Sequence, residues 1–220
     1  MKTKSFTLLE MIIVIVVIGI ISVAFLSKNA RDPLYEAALQ VVEHIRYTQH
    51  LALIHDPYSL KNPQWYKERW QIVFGTNKNS DYKPAYTIFS DKGKHSGDPS
   101  SSEIAKNPAN VNLLMCGGYT GSKELNVVDP KFKGMKVLNL GLTYGVTSYK
   151  LEDGCSGARI SFDFLGRPLK GDSRTLRGPY QAGTKRLISK DCHILLTSKN
   201  RTIVITVKAE SGYTYIEKEI

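Results

Sequence analysis

The chain has 220 residues, 42% of them hydrophobic and 23% charged, which suits one sizeable domain plus an appendage better than two small domains. A formal net charge of +10 favours anionic partners such as nucleic acid, lipid headgroups or acidic proteins, yet it also serves solubility and selects no function. The three cysteines, Cys116, Cys155 and Cys192, form no Cys-x-x-Cys pair, so neither a zinc knuckle nor a thioredoxin-type motif is supported.

The apolar residues crowd towards the N-terminus. Phe6 to Leu26 is a run of 21 residues with one charge, Glu10. As a helix it would span about 31 Å, close to the hydrocarbon thickness of a bilayer. Lys2 and Lys4 precede it and place the short end in the cytoplasm by the positive-inside rule. A cleaved signal peptide would have a shorter apolar core, and Ser27-Lys28-Asn29-Ala30 is a poor cleavage site. A plain signal-anchor leaves Glu10 unexplained, because an ionised side chain inside a membrane segment costs roughly 2.5–3.5 kcal/mol.

The stretch Lys-Thr-Lys-Ser-Phe-Thr-Leu-Leu-Glu followed by an apolar helix resembles the N-terminus of type IV pilins and pseudopilins. The resemblance implies that a prepilin peptidase cuts the Ser5–Phe6 bond, that the new amine of Phe6 is methylated, and that Glu10 neutralises that amine during filament assembly. Ser5 stands where the family usually has Gly or, less often, Ala. A carboxylate in a dry helical bundle needs a charged partner, and a new cationic N-terminus is one. Glu10 also falls in the first turn of the mature helix, where negative charge complements the dipole.

Asp32-Pro33 reads as a helix restart, with Asp32 as cap and Pro33 at the first helical position. Apolar residues at Leu34, Ala38, Val41, Val42, Ile45, Leu51, Ala52 and Ile54 predict an amphipathic helix that ends before Asp56-Pro57. Strands are predicted at 70–74, 85–89, 138–142, 158–164, 192–197 and 202–208, with Asn200 in a hairpin turn between the last two. The segment 90–112, rich in Lys, Gly, Ser, Pro and Asn, is predicted to be an exposed loop.

A long N-terminal helix whose second half packs on an antiparallel sheet is the pilin architecture, an α+β fold. "ISFDFLGRP" at 160–168, "CHILLTSKNRTIVITV" at 192–207 and "SGYTYIE" look like the C-terminal half of H-type minor pseudopilins. That group includes subunits of type II secretion tips and relatives in pilus assembly and DNA uptake. The expected organisation is a leader at 1–5, a transmembrane or filament-core helix at 6–27, an amphipathic helix at 28–55 and a periplasmic β-rich domain at 56–220.

Catalysis finds little support in the residues. Asp191-Cys192-His193 would place neighbouring side chains on opposite faces of a strand, so Cys192 and His193 would not meet. His44 and His50 lie on the amphipathic helix and are expected in solvent, and no metal or cofactor site is indicated. Sheet pairing could join Cys155 to Cys192 across 37 residues. Pairing of Cys116 with either, or three reduced thiols, are the alternatives. The stretch 166–190 carries Arg167, Lys170, Arg174, Arg177, Lys185, Arg186 and Lys190, with Tyr180 among them, against Asp172 and the neighbouring Asp191. Such a loop could follow a phosphate backbone by counterion release, or simply be solvated or docked on an acidic neighbour.

These readings point to a non-enzyme: a minor pseudopilin of a type II secretion pseudopilus or type IV pilus-like filament. It would be anchored once in the inner membrane, with its N-terminus cytoplasmic and its domain periplasmic. Its partners would be other pilins or pseudopilins, the prepilin peptidase, an inner-membrane assembly platform and, before assembly, membrane lipid. The alternative is a DNA-binding minor pilin of a competence system that uses the basic loop.

Overall fold

A computed structural model describes residues 7–27, 31–55, 57–93, 95–179 and 186–220, with no side chains described at 23–27. The chain divides into two compact units, 1–32 and 33–220. The first contains helix α1, Leu8–Ser27. Its described apolar side chains are exposed on every side, from Leu8 at 80% down to Val14 at 46%. A helix that is apolar all round needs lipid or other helices to cover it. Among the described residues no helix is long and apolar enough to cross a membrane. The expected span at 6–27 extends beyond them, because Phe6 and the side chains of 23–27 lie outside the described residues.

The second unit begins with α2, Pro33–Ile54. Proline at the first helical position loses no intrahelical bond and brings a fitting φ. Leu34, Ala37, Ala38, Val41, Ile45, Thr48 and Ala52 recur at spacings of three and four and form the buried stripe. Ala37 and Ala38 are completely buried, so the helix backbone seats closely on what lies beneath.

Beneath it are two four-stranded sheets, both antiparallel, rather than the single sheet expected. Strands β1 (Trp70–Gly75) and β2 (Ala85–Ser90) pair first. A two-residue ladder of β3 (Lys106–Asn107) with β4 (Asn110–Leu114) follows, and then β5 (Ser148–Asp153). Strands β6 (Arg159–Phe162), β7 (Pro168–Lys170), β8 (Cys192–Ser198), β9 (Arg201–Val207) and β10 (Thr214–Glu219) complete the set. The sheet orders are β2-β1-β6-β7 and β10-β9-β8-β5. Helix α2 touches β1 and β6 of one sheet and β8, β9 and β10 of the other, so both share one hydrophobic core. The β8–β9 hairpin turns through Lys199 and Asn200, with Lys199 at φ 54°.

Two expected elements take other forms. Residues 138–142 are no strand: a 3-10 turn, Lys136–Leu138, leads into a short helix α3, Leu140–Tyr144. Asn139 caps α3 by accepting the Leu142 N–H at 3.0 Å, and its amide donates to the Ser80 and Gly117 carbonyls. Gly145 then ends the helix in the left-handed conformation. These caps outweigh the apolar alternation that suggested a strand. Nor is 90–112 an exposed loop throughout, because Ile104 and Ala105 are buried. The Ala105 N–H donates to the Ile88 carbonyl, the Ser90 N–H to Glu103 and the Ile88 N–H to Met115. This segment satisfies the outer backbone groups of β2, which would otherwise be an open edge.

Cys155 and Cys192 form a disulfide, with Cα atoms 5.0 Å apart, at the end where β5 pairs with β8. Gly154 makes this approach possible, because a Cβ there would lie 1.8 Å from the Lys190 carbonyl oxygen. Cys116 is free and buried beside Thr87, and burial pushes its thiol pKa up. Closing a loop of this length contributes roughly 3–4 kcal/mol in the chain-entropy description. The double substitution Cys155→Ser/Cys192→Ser should lose a comparable amount in denaturant unfolding, and an unchanged midpoint would contradict it.

His44 is half-buried rather than fully solvated as expected. Its Nδ1 lies 2.5 Å from the hydroxyl of the fully buried Tyr86, which also accepts a hydrogen bond from Gln40. Burial lowers its pKa to about 4. The unfolded chain takes up a proton near 6.5 and the folded one does not, so stability falls as pH drops from about 6.5 to about 4. The loss attributable to this residue is about 3 kcal/mol at most. His44→Gln should flatten the dependence of Tm on pH across that window.

Candidate assembly segment and basic face

Thr7 and Glu10 make a reciprocal cap at the head of α1. The Thr7 N–H donates to Glu10 Oε2 at 2.8 Å and the Thr7 hydroxyl to the same oxygen at 2.9 Å. The Glu10 N–H donates back to Thr7 Oγ1 at 3.3 Å. This is a capping box, in which a hydroxyl and a carboxylate three residues apart satisfy each other's orphan amides. Thr-x-x-Glu before an apolar run is its sequence signature, so Thr7 could have been read from the sequence alone. Within one chain Glu10 thus has a hydrogen-bonding role before any partner arrives. Ser5 and Phe6, where the leader cut and the methylation are expected, lie outside the described residues.

The six described basic residues of 166–190 do not converge into one open cationic face. Arg167 sits in the turn between β6 and β7, where its Nε and Nη2 both reach Asp163 Oδ2 at 2.8 Å. Asp163 also accepts the N–H groups of Leu165 and Arg167, and its side chain is only 6% exposed. Arg174 forks onto Asp172, and a further donor reaches the Ser96 carbonyl. Burial alone would raise the Asp172 carboxyl pKa, but the Arg174 donors and the nearby Arg159 outweigh it and lower it. Arg186 donates to the Thr175 hydroxyl. Lys170 ends β7 half-buried, while Arg177 and Lys190 are exposed. Lys185 and Tyr180 lie outside the described residues.

Two of the arginines are therefore engaged by carboxylates of the same domain, and Asp163 stands just before the stretch in which charges were counted. Arg69 was also missed. It lies far off in sequence, but the fields of Asp163, Arg167 and Arg186 all act on it. Among the described residues no group of three His, Cys, Asp or Glu side chains is arranged to hold a metal ion. Cys192 is in the disulfide, and His193 lies between Asp153 and Glu217.

Residues 1–26 match the Prokaryotic N-terminal methylation motif, a type IV pilin-like prepilin leader. No curated protein and no solved structure matches the chain. The motif marks the N-terminus as a pilin-like prepilin-peptidase substrate, and it joins here to a domain of mixed helix and antiparallel sheet.

Replacing Asp163 by Asn removes the charge that holds Arg167 and weakens acceptance of two amides. Denaturant unfolding should show a loss of about 2 kcal/mol. Arg167→Ala should cost less, because the Arg167 side chain is 49% exposed and water can replace it.

Proposed function

We propose that this chain is a minor pseudopilin-type subunit whose work is assembly rather than chemistry. The observation that carries the reading is the methylation motif, running directly into a helix that is apolar on every described side and headed by Glu10. Prepilin peptidase would cut the Ser5–Phe6 bond on the cytoplasmic side, and the amine of Phe6 would then be methylated. Before assembly the apolar helix would rest in inner-membrane lipid, with the disulfide-bonded domain in the periplasm, an oxidising compartment that suits the Cys155–Cys192 bond.

During assembly α1 would exchange lipid for the helices of other pilins or pseudopilins, guided by an inner-membrane platform. Glu10 stands four residues after Phe6 in sequence, and its carboxylate can leave Thr7 to pair with the amine of its own or a neighbouring chain. In a dry bundle that pairing offsets a desolvation cost that neither charge could bear alone. The domain resembles the H-type minor group in its "ISFDFLGRP" and "CHILLTSKNRTIVITV" stretches, which favours a place in a secretion pseudopilus or a type IV pilus-like filament. Capture of DNA by the basic stretch has less behind it, because Asp163 and Asp172 already engage Arg167 and Arg174.

Mass spectrometry of the native protein should find a mature chain that begins with methylated Phe6; retention of Met1 would overturn the reading. Glu10→Val should leave cutting and membrane insertion unchanged and reduce incorporation into filaments at least tenfold, measured by crosslinking to neighbouring subunits. Normal incorporation of that variant would remove the assembly role of the carboxylate.

A further inference from the structure

Beyond the C-terminal end of α2 the domain forms a partly open cavity of about 260 Å³. Trp65, Tyr66, Trp70, Phe162 and Phe164 wall it, and Arg69 lies on its lining. Aromatic walls around a few polar groups are the usual composition of a small-ligand site.

The polar groups are unevenly matched. Asp163, also on the lining, is occupied by the Arg167 guanidinium and by two backbone N–H groups. Glu68 accepts the Asn62 amide at 2.7 Å. Among the described residues no hydrogen bond or ion pair holds the Arg69 guanidinium. Burial lowers its pKa; the field of Asp163 opposes that shift, and Arg167 and Arg186 add to it. The indole Nε1 of Trp70 is buried and has no acceptor among the described residues.

Both unmatched groups are donors. The indole N–H is buried while Arg69 is partly exposed, and leaving a buried donor without an acceptor costs about 1–3 kcal/mol. A ligand that brought only apolar surface would leave that cost in place, whereas one bearing a two-oxygen anion would remove it. The guanidinium fork matches a carboxylate in plane. One fork and one indole N–H are too few donors for a phosphate dianion with three terminal oxygens.

We propose that this cavity binds a single carboxylate attached to an aromatic or branched apolar group, with Arg69 gripping the anion and the aromatic wall holding the apolar part. A peptide that ends in an apolar residue and a small aromatic acid present the same chemistry. The site stands apart from filament assembly, so either reading can fail without the other.

Trp65 and Trp70 are the two tryptophans of the chain and both line the cavity, so intrinsic fluorescence reports on it directly. The full-length protein in non-ionic detergent is titrated with acetyl-Gly-Gly-Phe as the free acid, with its C-terminal amide, and with 3-phenylpropionate. A saturable change is expected with at least one acid, and binding about tenfold weaker or worse for the amide. Arg69→Met should weaken the acid by a similar factor while keeping the wild-type Tm. Saturation by the peptide acid alone assigns the site to a peptide terminus; saturation by 3-phenylpropionate alone assigns it to small acids. The proposal is overturned if neither acid saturates by about 10 mM. It is equally overturned by an amide that binds as well as the acid, or by undiminished binding to folded Arg69→Met. Should that variant unfold, the ratio of acid to amide on the wild-type protein decides.

Discussion

Seating one helix on two sheets at once is the constraint around which the domain is organised. Helix α2 must bury a stripe against β1 and β6 and also against β8, β9 and β10. Alanines at 37 and 38 make the close approach possible, and Val41 and Ile45 are buried in the shared core. The flanks of the helix complete the fit with polar ties. Gln40 reaches Tyr86 and the Val137 carbonyl, Arg46 reaches the Thr214 carbonyl, and Gln49 bridges the Gly166 and Ser211 carbonyls. Those ties fix the β6–β7 turn and the approach to β10, and with them the wall of the aromatic cavity.

The acidic residue at the head of α1 has two chemistries open to it. In the single chain it closes a capping box with Thr7, which satisfies amides at a helix start. In a filament it would face a cationic amine generated by proteolysis. The first contact is solvent-exposed and cheap to break, whereas the second would form where water is excluded and charges interact strongly. A carboxylate held weakly in the monomer and strongly in the assembly favours assembly without a change of fold.

Charge in the second unit is arranged by pairing more than by accumulation. A basic count along the sequence suggested a polyanion track, yet Arg167 stabilises a turn through Asp163 and Arg174 braces a loop through Asp172. Arg69, which no hydrogen bond or ion pair holds among the described residues, belongs to no basic run. It is distinguished by surroundings that only the folded chain assembles.

Much of the architecture was legible in local pattern. The helical spacing from Leu34 onward matches α2, and the aromatic and β-branched runs near 70, 85, 160, 192 and 202 coincide with strands. The motif at 1–26 is carried by adjacent residues, as a peptidase substrate must be. Local pattern misled where caps or edges intervened, at Asn139–Gly145 and at 103–117, and it passed over β3, β4, β5, β7 and β10. What the sequence determined by itself is therefore the N-terminal signal and the type of most elements, because both depend on neighbours within a few residues. The tertiary structure alone decided the split into two sheets, the partial burial of His44 against Tyr86 and the cavity around Arg69. Each of these arises from contacts between residues tens of positions apart, which spacing along the chain does not encode.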